Sequence, residues 1–246
     1  MLQDRIVAHR GYQKLYPENT LLAYRQAIAA GARCVETDIL LSADLQPVLY
    51  HDPDLRRVSG TRGQLAKKTL AELTELPAYE PQRLGNKFQT ECIPSLHAFA
   101  QLVGTHPEVT AYVEIKREAV TFAGAEIVFQ AVAKALERIA EQVVLISFDY
   151  EFISHARRAG WRRCGVVLKR WKDLQLPVVQ AIDPEVVFSN AQKIPANADL
   201  NTLTPQLIVY EIDDPHSAIE WFRRGADKIE TFDIGAMLPA LAHRAL

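Results

Sequence analysis

Residues 35–39 read Val-Glu-Thr-Asp-Ile, and this run determines the fold more than any other stretch of the chain. It predicts a β-strand in which the two carboxylates, Glu36 and Asp38, point to the same face of a sheet. Similar apolar or β-branched runs recur along the chain, so we predict a series of short strands. Including this one, the eight predicted strands cover residues 5–9, 33–40, 109–115, 143–148, 164–168, 185–189, 206–212 and 227–233.

Helical patterns, with apolar residues spaced three and four apart, separate most of these strands. The predicted helices cover residues 20–30, 95–103, 121–140, 150–159, 216–224 and 234–244. Gly31, Gly160 and Gly225 each follow such a pattern, as glycines at helix C-termini do. Segments 170–184 and 190–205 have a poor helical signal and predict short turns or irregular loops. The alternation and the length of 246 residues predict an α/β fold, a (β/α)8 TIM-like barrel.

Residues 53–94 interrupt this alternation, because they hold several basic residues, four prolines and only a brief helical pattern near residues 70–76. We interpret them as a small insertion after the hairpin of the second strand, within a single domain that spans residues 1–246. Insertions in barrels extend the loops at the C-terminal ends of the strands, where ligand sites form. We therefore expect this segment to shape the access of substrate.

Carboxylates that face one way repel each other unless they are solvated or share a cation, so Glu36 and Asp38 are candidate ligands of Mg²⁺ or Ca²⁺. Taken alone, such a pair more often marks a solvated strand face. Glu114 and Lys116 form a second pair of this kind on the next predicted strand. In a closed barrel Glu114 would reach the same cation and Lys116 would reach a bound anion; the alternative is a surface ion pair.

Two histidines lie near these acidic residues. His9 and Arg10 follow the first strand, at the end of a barrel strand that carries function. His51 comes only 13 residues after Asp38, too soon for a strand–helix–strand crossover, so we predict a hairpin that places His51 opposite about Thr37. Histidine titrates near neutrality and arginine matches phosphate geometry, so these residues suit phosphoryl chemistry. Singly, each would more often be an ordinary turn or packing residue.

The motif Pro17-Glu18-Asn19-Thr20 precedes the first helix, and Asn19 or Thr20 is suited to cap it. Capping is the favoured interpretation for this segment. The alternative is that Glu18 or Asn19 braces the loop that carries His9.

Composition narrows the class of protein. The chain is 48% hydrophobic and 24% charged, which is typical of a globular protein, and its net charge of −2 argues against nucleic-acid binding. Three widely spaced cysteines, Cys34, Cys92 and Cys164, predict neither a disulfide framework nor a structural zinc site. The N-terminus lacks the pattern of a signal peptide, and no apolar run is long enough to predict an integral membrane segment. We therefore expect a cytoplasmic protein; its oligomeric state is not predicted.

Taken together, the motifs resemble the glycerophosphodiester phosphodiesterase family in their order and spacing. They are His9-Arg10-Gly11, Pro17-Glu18-Asn19-Thr20, Glu36-x-Asp38, Pro47-Val48 through His51-Asp52, Ile93-Pro94-Ser95-Leu96, Glu114-Ile115-Lys116 and Ser147-Phe148-Asp149. The resemblance spans nearly the whole chain and is strongest over residues 6–60. The chain departs from the family at Tyr210, where a tryptophan is usual, and at Glu230, where an apolar residue is usual. Glu230 predicts a more polar pocket for the alcohol; the alternatives are a side chain directed into the barrel interior and an edge position in a strand of different register.

The resemblance also implies roles for the candidate residues. It implies that His9 and His51 are the general acid and base. It implies that Glu36, Asp38 and Glu114 bind one divalent cation, Mg²⁺ or Ca²⁺ with Mn²⁺ as a further option. It implies that Arg10 and Lys116 contact the phosphate.

The expected reaction is the hydrolysis of a small glycerophosphodiester to glycerol phosphate and an alcohol. A lysophospholipid cleaved at its head group on the same site is the alternative substrate, and an exposed apolar rim on residues 53–94 would favour it. A barrel that binds metal or phosphate without turnover is the non-enzymatic alternative.

Overall fold

The computed structural model describes residues 1–242, in which eight parallel strands form a nearly closed barrel. A ninth strand, β3, pairs antiparallel with β2 outside the path β5-β4-β2-β1-β9-β8-β7-β6. The strands are β1 (Ile6–Ala8), β2 (Cys34–Leu41), β3 (Pro47–Leu49), β4 (Thr110–Ile115), β5 (Val143–Ile146), β6 (Gly165–Val167), β7 (Val186–Asn190), β8 (Gln206–Tyr210) and β9 (Lys228–Thr231). Each of the eight predicted strands is present, and the prediction of an α/β barrel is confirmed.

The seam of the barrel lies between β5 and β6, which approach without forming a regular ladder. The amide of Leu145 donates to the carbonyl of Arg163 at 2.9 Å, and the amide of Val167 donates to the carbonyl of Ser147 at 3.0 Å. The barrel strands are almost entirely buried, as expected when helices cover the outside and side chains fill the inside. The interior cluster contains Val7, Cys34, Tyr112, Val144, Ile146, Val167, Val186, Phe188 and Ile208.

Helices surround the barrel, and most follow the predicted pattern. They are α1 (Leu21–Ala29), α2 (Arg56–Ser59), α3 (Leu70–Thr74), α4 (Pro81–Leu84), α5 (Leu96–Gly104), α6 (Arg117–Ala123), α7 (Ala125–Leu136), α8 (Tyr150–Arg158), α9 (Pro177–Ile182), α10 (Pro215–Arg224) and α11 (Ile234–Ala242). The short helix α9 differs from the turns or loops predicted for residues 170–184. Residues 243–244 of the last predicted helix lie outside the described residues.

The prediction of one helix over residues 121–140 is wrong. Gly124 adopts φ +83° and ψ 155°, which a helix does not permit, so the chain breaks there into α6 and α7. After α7 the chain continues as a 3-10 helix, Glu137–Gln142. No single helix within residues 1–242 has the length and apolarity to cross a membrane; Arg117–Ala123 and Ala125–Gln142 reach them only as a pair, bent by 115°.

The predicted hairpin between β2 and β3 is confirmed, including its register. Ile39 pairs with Leu49 and Leu41 pairs with Pro47, and the amide of Tyr50 donates to the carbonyl of Asp38 at 3.0 Å. Continuing that register by two residues beyond the pair of Ile39 and Leu49 places His51 opposite Thr37. The short connection therefore returns the chain to the acidic end of β2.

Residues 53–94 form short helical pieces between β3 and α5. They comprise α2, a 3-10 turn at Leu65–Lys67, α3 and α4. The amides of Tyr79 and Glu80 both donate to the carbonyl of Val58, at 3.0 and 2.9 Å. These hydrogen bonds join the later part of the segment to α2. The larger boundary, one domain over residues 1–246, extends beyond the described residues and stays a prediction.

Candidate active site

A cavity of about 250 Å³ opens at the carboxyl ends of the barrel strands. Six of the seven predicted site residues line it: His9, Arg10, Glu36, His51, Glu114 and Lys116. The seventh, Asp38, is fully buried and forms ion pairs with Arg10 and Lys116. A larger groove of about 820 Å³, between α5 and α7, is lined by none of these seven residues. The chemistry-bearing side chains therefore gather at the smaller cavity.

Strand register brings the three acidic residues together. In the parallel pair of β2 and β4, Asp38 lies opposite Glu114, and Glu36 precedes Asp38 on the same face. One oxygen from each of these carboxylates lies within 4.8 Å of the others. All three side chains are buried, and Glu36 Oε1 accepts no hydrogen bond. Because buried carboxylate oxygens normally have partners, this group is suited to hold a cation.

Two basic side chains approach these carboxylates. Arg10 Nε lies 2.8 Å from Asp38 Oδ2, while Lys116 Nζ lies 3.2 Å from Asp38 Oδ1 and 2.8 Å from Glu114 Oε1. Burial alone would raise the pKa of Asp38, but Arg10 and Lys116 outweigh it and hold that pKa well below its ordinary value. Asp38 is therefore ionised, whereas burial raises the pKa of Glu36 and the neighbouring Asp38 raises it further.

His9 is buried beside Glu36. Its Nε2 lies 3.7 Å from Glu36 Oε2, its Nδ1 has no hydrogen-bond partner, and its ring lies 4.9 Å from the ring of Phe232. Burial, and then the charge of Arg10, lower the pKa of His9 well below its ordinary value. The imidazole is therefore neutral near pH 7.

His51 is held differently, through an acidic neighbour. Its Nδ1 lies 2.6 Å from Asp52 Oδ1, and Asp52 Oδ2 accepts a hydrogen bond from Arg57 Nε at 2.6 Å. A carboxylate at Nδ1 orients the ring and leaves Nε2 for other partners. Burial would raise the pKa of Asp52, but the bonds with His51 and Arg57 lower it well below its usual range.

The residues before α1 combine both predicted roles. Thr20 caps the helix, since its Oγ1 accepts from the amide of Ala23 at 3.2 Å. Asn19 does not cap; its Nδ2 donates to Asp38 Oδ2 at 3.0 Å and its Oδ1 accepts from Tyr24 Oη at 2.8 Å. The backbone amide of Asn19 also donates to the carbonyl of Arg10 at 3.1 Å, so Asn19 contacts the loop that carries His9, as the alternative interpretation expects.

Glu18 is the other brace, and it links the site to the insertion. Its carboxylate accepts from Arg57 Nη2 at 2.7 Å and Nη1 at 2.8 Å, and from Arg10 Nη1 at 3.1 Å. The amide of Glu18 donates to Glu80 Oε2 at 2.8 Å. Sequence reasoning missed Arg57 and Glu80, because their positions depend on the irregular path of residues 53–94. The only sequence signal for Arg57 is its place five residues after Asp52.

Glu230 lines the same cavity from β9, where it lies opposite Val7 of β1. It is 3% exposed, and its Oε1 has no hydrogen-bond partner. Glu230 is thus buried within the barrel and also adds a polar group to the cavity, so its position agrees with both interpretations. Tyr210, the other departure noted in the sequence, lines the cavity as well.

Known proteins resemble this chain in sequence and in fold. Among curated relatives, a glycerophosphodiester phosphodiesterase of Caldanaerobacter subterraneus subsp. tengcongensis is 33% identical over 68% of this chain and 70% of its own length. The human glycerophosphodiester phosphodiesterase 1 is 38% identical over 48% of this chain, which spans 36% of that protein's length. A solved phosphodiesterase of Oleispira antarctica, in complex with the product sn-glycerol-3-phosphate, superposes with a TM-score of 0.84 at 23% identity, covering 97% of this chain and 96% of that one.

The family is established by a match that runs through most of the described barrel. A model of the glycerophosphoryl diester phosphodiesterase family matches residues 9–226, from the first predicted site residue almost to β9. The resemblance inferred from the motifs is thus confirmed: this chain belongs to the glycerophosphoryl diester phosphodiesterase family.

Proposed function

We propose that this enzyme hydrolyses small glycerophosphodiesters to glycerol phosphate and an alcohol, with one divalent cation and two histidines. The single observation that supports this most is the convergence of Glu36, Asp38 and Glu114, whose ligand oxygens lie within 4.8 Å of one another beside His9 and His51. The named activity of the tengcongensis relative and the product bound by the Oleispira protein point to the same substrate class.

The residues present fit the cation. Three buried carboxylates face two cationic side chains, Arg10 and Lys116, so a negative charge remains when the three are ionised. Oxygen ligands on rigid strands favour Mg²⁺ or Ca²⁺, with Mn²⁺ as a further option. Bound there, such a cation would polarise a phosphoryl oxygen and acidify a hydroxyl.

The protein's own groups then divide the remaining work. Arg10 and Lys116 lie at the rim of the carboxylate cluster, where they would attract the phosphate and position it. One histidine would remove a proton from the attacking hydroxyl and the other would protonate the leaving alcohol. Asp52 would keep His51 in one tautomer, with its Nε2 directed away from the carboxylate.

The lysophospholipid alternative lacks the feature that would favour it. The large exposed hydrophobic side chains among residues 1–242 are Met1, Leu15, Leu45, Phe122 and Ile127. None lies in residues 53–94, so the insertion itself exposes no large hydrophobic side chain to an acyl chain. A small head-group diester therefore remains the better-supported substrate.

We also propose that the enzyme works in the cytoplasm. Cys34, Cys92 and Cys164 are free thiols, which a reducing compartment favours.

A direct assay tests the function. The purified protein would be given glycerophosphocholine and related diesters with Mg²⁺, Ca²⁺ or Mn²⁺, and then with a chelator. We expect turnover that the chelator abolishes and that His51→Gln and Glu114→Gln each lower by about 10²-fold or more. The matched controls, His97→Gln and Glu137→Gln, change exposed residues away from the cavity and should leave turnover unchanged. The absence of chelator-sensitive turnover on every diester would refute the proposal.

A further inference from the structure

Glu230 is a buried carboxylate that the proposed reaction does not use. Its Oε1 has no hydrogen-bond partner, and among residues 1–242 no lysine, arginine or histidine nitrogen forms an ion pair with it. The two basic side chains of the site are committed elsewhere, Arg10 to Asp38 and Glu18, and Lys116 to Asp38 and Glu114. A buried carboxylate without a partner is costly, so either a proton or a cation that the described residues do not supply should balance it.

The neighbours of Glu230 indicate what that partner is. One oxygen of Glu230, one oxygen of Glu36 and one ring nitrogen of His9 lie within 4.8 Å of one another. Atoms that bind one ion from opposite sides at roughly 2.1 to 2.5 Å are separated by about 4 to 5 Å, so this spacing suits a single cation. His9 Nδ1 and Glu36 Oε1 also lack hydrogen-bond partners, although both are buried.

We propose that His9, Glu36 and Glu230 form a second cation position, distinct from the one between Glu36, Asp38 and Glu114, and selective for a divalent transition-metal ion. The selectivity follows from the ligands. An imidazole with two carboxylates suits Mn²⁺ or Zn²⁺, whereas the all-oxygen first position suits Mg²⁺ or Ca²⁺ as well. Glu36 belongs to both groups and would bridge the two ions, as a shared carboxylate does in two-metal sites.

This second position has a consequence for His9. A ring nitrogen bound to a metal ion cannot carry a proton, so filling the position removes that nitrogen from proton transfer. The acid or base role proposed for His9 then belongs to the form of the enzyme in which the second position is empty. The second cation position depends on the proposed function in two respects only: Glu36 is shared with the first cation, and filling the second position should lower turnover.

Ion stoichiometry on the purified full chain tests the proposal. Calorimetric titration of the cation-free protein should give two Mn²⁺ ions per chain for the wild type and one for Glu230→Gln. With Mg²⁺ both proteins should bind one ion. The matched control is Glu211→Gln, which removes a carboxylate from the same cavity, but one that is exposed and bonded to Asn190; it should still bind two Mn²⁺ ions.

Electron paramagnetic resonance of the wild type supplies a readout that needs no variant. Two Mn²⁺ ions bridged by Glu36 should give an exchange-coupled signal, and thermal unfolding of each variant shows whether it is folded when titrated. A wild type that binds a single Mn²⁺ ion with an uncoupled signal overturns the second position while leaving the proposed reaction intact. A wild type that binds no ion overturns both.

Turnover separates the two proposals further. In the wild type, turnover should fall over the Mn²⁺ concentrations that fill the position containing Glu230, and in Glu230→Gln it should not. If two ions bind and turnover does not fall, the second position stands and the ring nitrogen of His9 that binds the ion is not the one that transfers a proton.

Discussion

Among the residues outside the cavity, Arg57 should be one of those whose replacement lowers the free energy of unfolding most. Its guanidinium donates to both oxygens of Glu18, at 2.7 and 2.8 Å, and to Asp52 Oδ2 at 2.6 Å. Glu18 is 1% exposed, so replacing Arg57 with methionine leaves a buried carboxylate with fewer partners. Removing one member of a buried ion pair costs about 3–5 kcal/mol.

That figure must be reduced for Arg57. Its side chain is 40% exposed, so water screens part of the interaction, and Glu18 keeps Arg10 and Gln13 as partners. We therefore expect Arg57→Met to lower the free energy of unfolding by about 2 kcal/mol at pH 7. Arg57→Lys keeps the positive charge but loses the bidentate hydrogen bonding of the guanidinium. Its free energy of unfolding should therefore lie between those of Arg57→Met and the wild type.

Urea denaturation at equilibrium measures this difference, and the neighbour Arg56 supplies the control. Arg56 lies on the same short helix and is exposed, so Arg56→Met should change the free energy of unfolding by no more than about 0.5 kcal/mol. If Arg57→Met costs no more than Arg56→Met with the same denaturant slope, the buried pair does not stabilise the fold and the reasoning fails.

The loss of stability in Arg57→Met should also depend on pH, and the pKa of Glu18 determines the direction of that dependence. Burial would raise the pKa of Glu18, but Arg57 and Arg10 outweigh it and lower that pKa below 4.5. A lowered carboxyl pKa contributes stability above the unfolded-state pKa, and this contribution disappears as the pH falls through the folded-state pKa. The difference between wild type and Arg57→Met should therefore be full near neutral pH and shrink below about pH 4.5. A difference that grows in acid would contradict this assignment.

Two further substitutions probe the loops that carry the histidines. Gly11→Ala should destabilise the fold by roughly 1–3 kcal/mol, because Gly11 has φ +84° and an added Cβ would lie 2.7 Å from the carbonyl carbon of Ala23; a melting temperature equal to that of the wild type would contradict this. Asp52→Asn should lower kcat by about 10²-fold or more with little change in KM, since His51 loses the carboxylate that orients it; an unchanged pH–rate profile would show that Asp52 does not act through His51.

Much of the fold could be predicted because local patterns and chain geometry restrict the alternatives. In the strand that carries Glu36 and Asp38, successive side chains alternate between the two faces, so both carboxylates must share one face. The connection from this strand to His51 is too short for a crossover, so it must form a hairpin. The register followed from these two facts, and the pairing of Ile39 with Leu49 confirmed it. The prediction of one helix over residues 121–140 was wrong because the apolar stripe continues past Gly124. Only the φ and ψ angles of Gly124 show that the helix breaks there.

The candidate site could be predicted only in part. The prediction of a phosphodiesterase is confirmed, and its predicted side chains meet, because each follows or belongs to a strand whose carboxyl end opens on one cavity. Arg57 and Glu80 could not be found in this way. They lie in an insertion without a regular period, and Glu80 has φ +48°, a conformation that no pattern in its neighbours predicts.

The contacts of Arg57 also explain why the insertion matters to the chemistry. An ion-pair chain runs from His51 through Asp52, Arg57 and Glu18 to Arg10, which is the neighbour of His9 in sequence. The two histidines lie after different strands, β1 and β3, each of which pairs with β2. Because Arg57 contacts the acidic partner on each side, residues 53–94 connect the two loops directly. The insertion therefore helps to orient both proposed proton-transfer groups, although none of residues 53–94 lines the cavity.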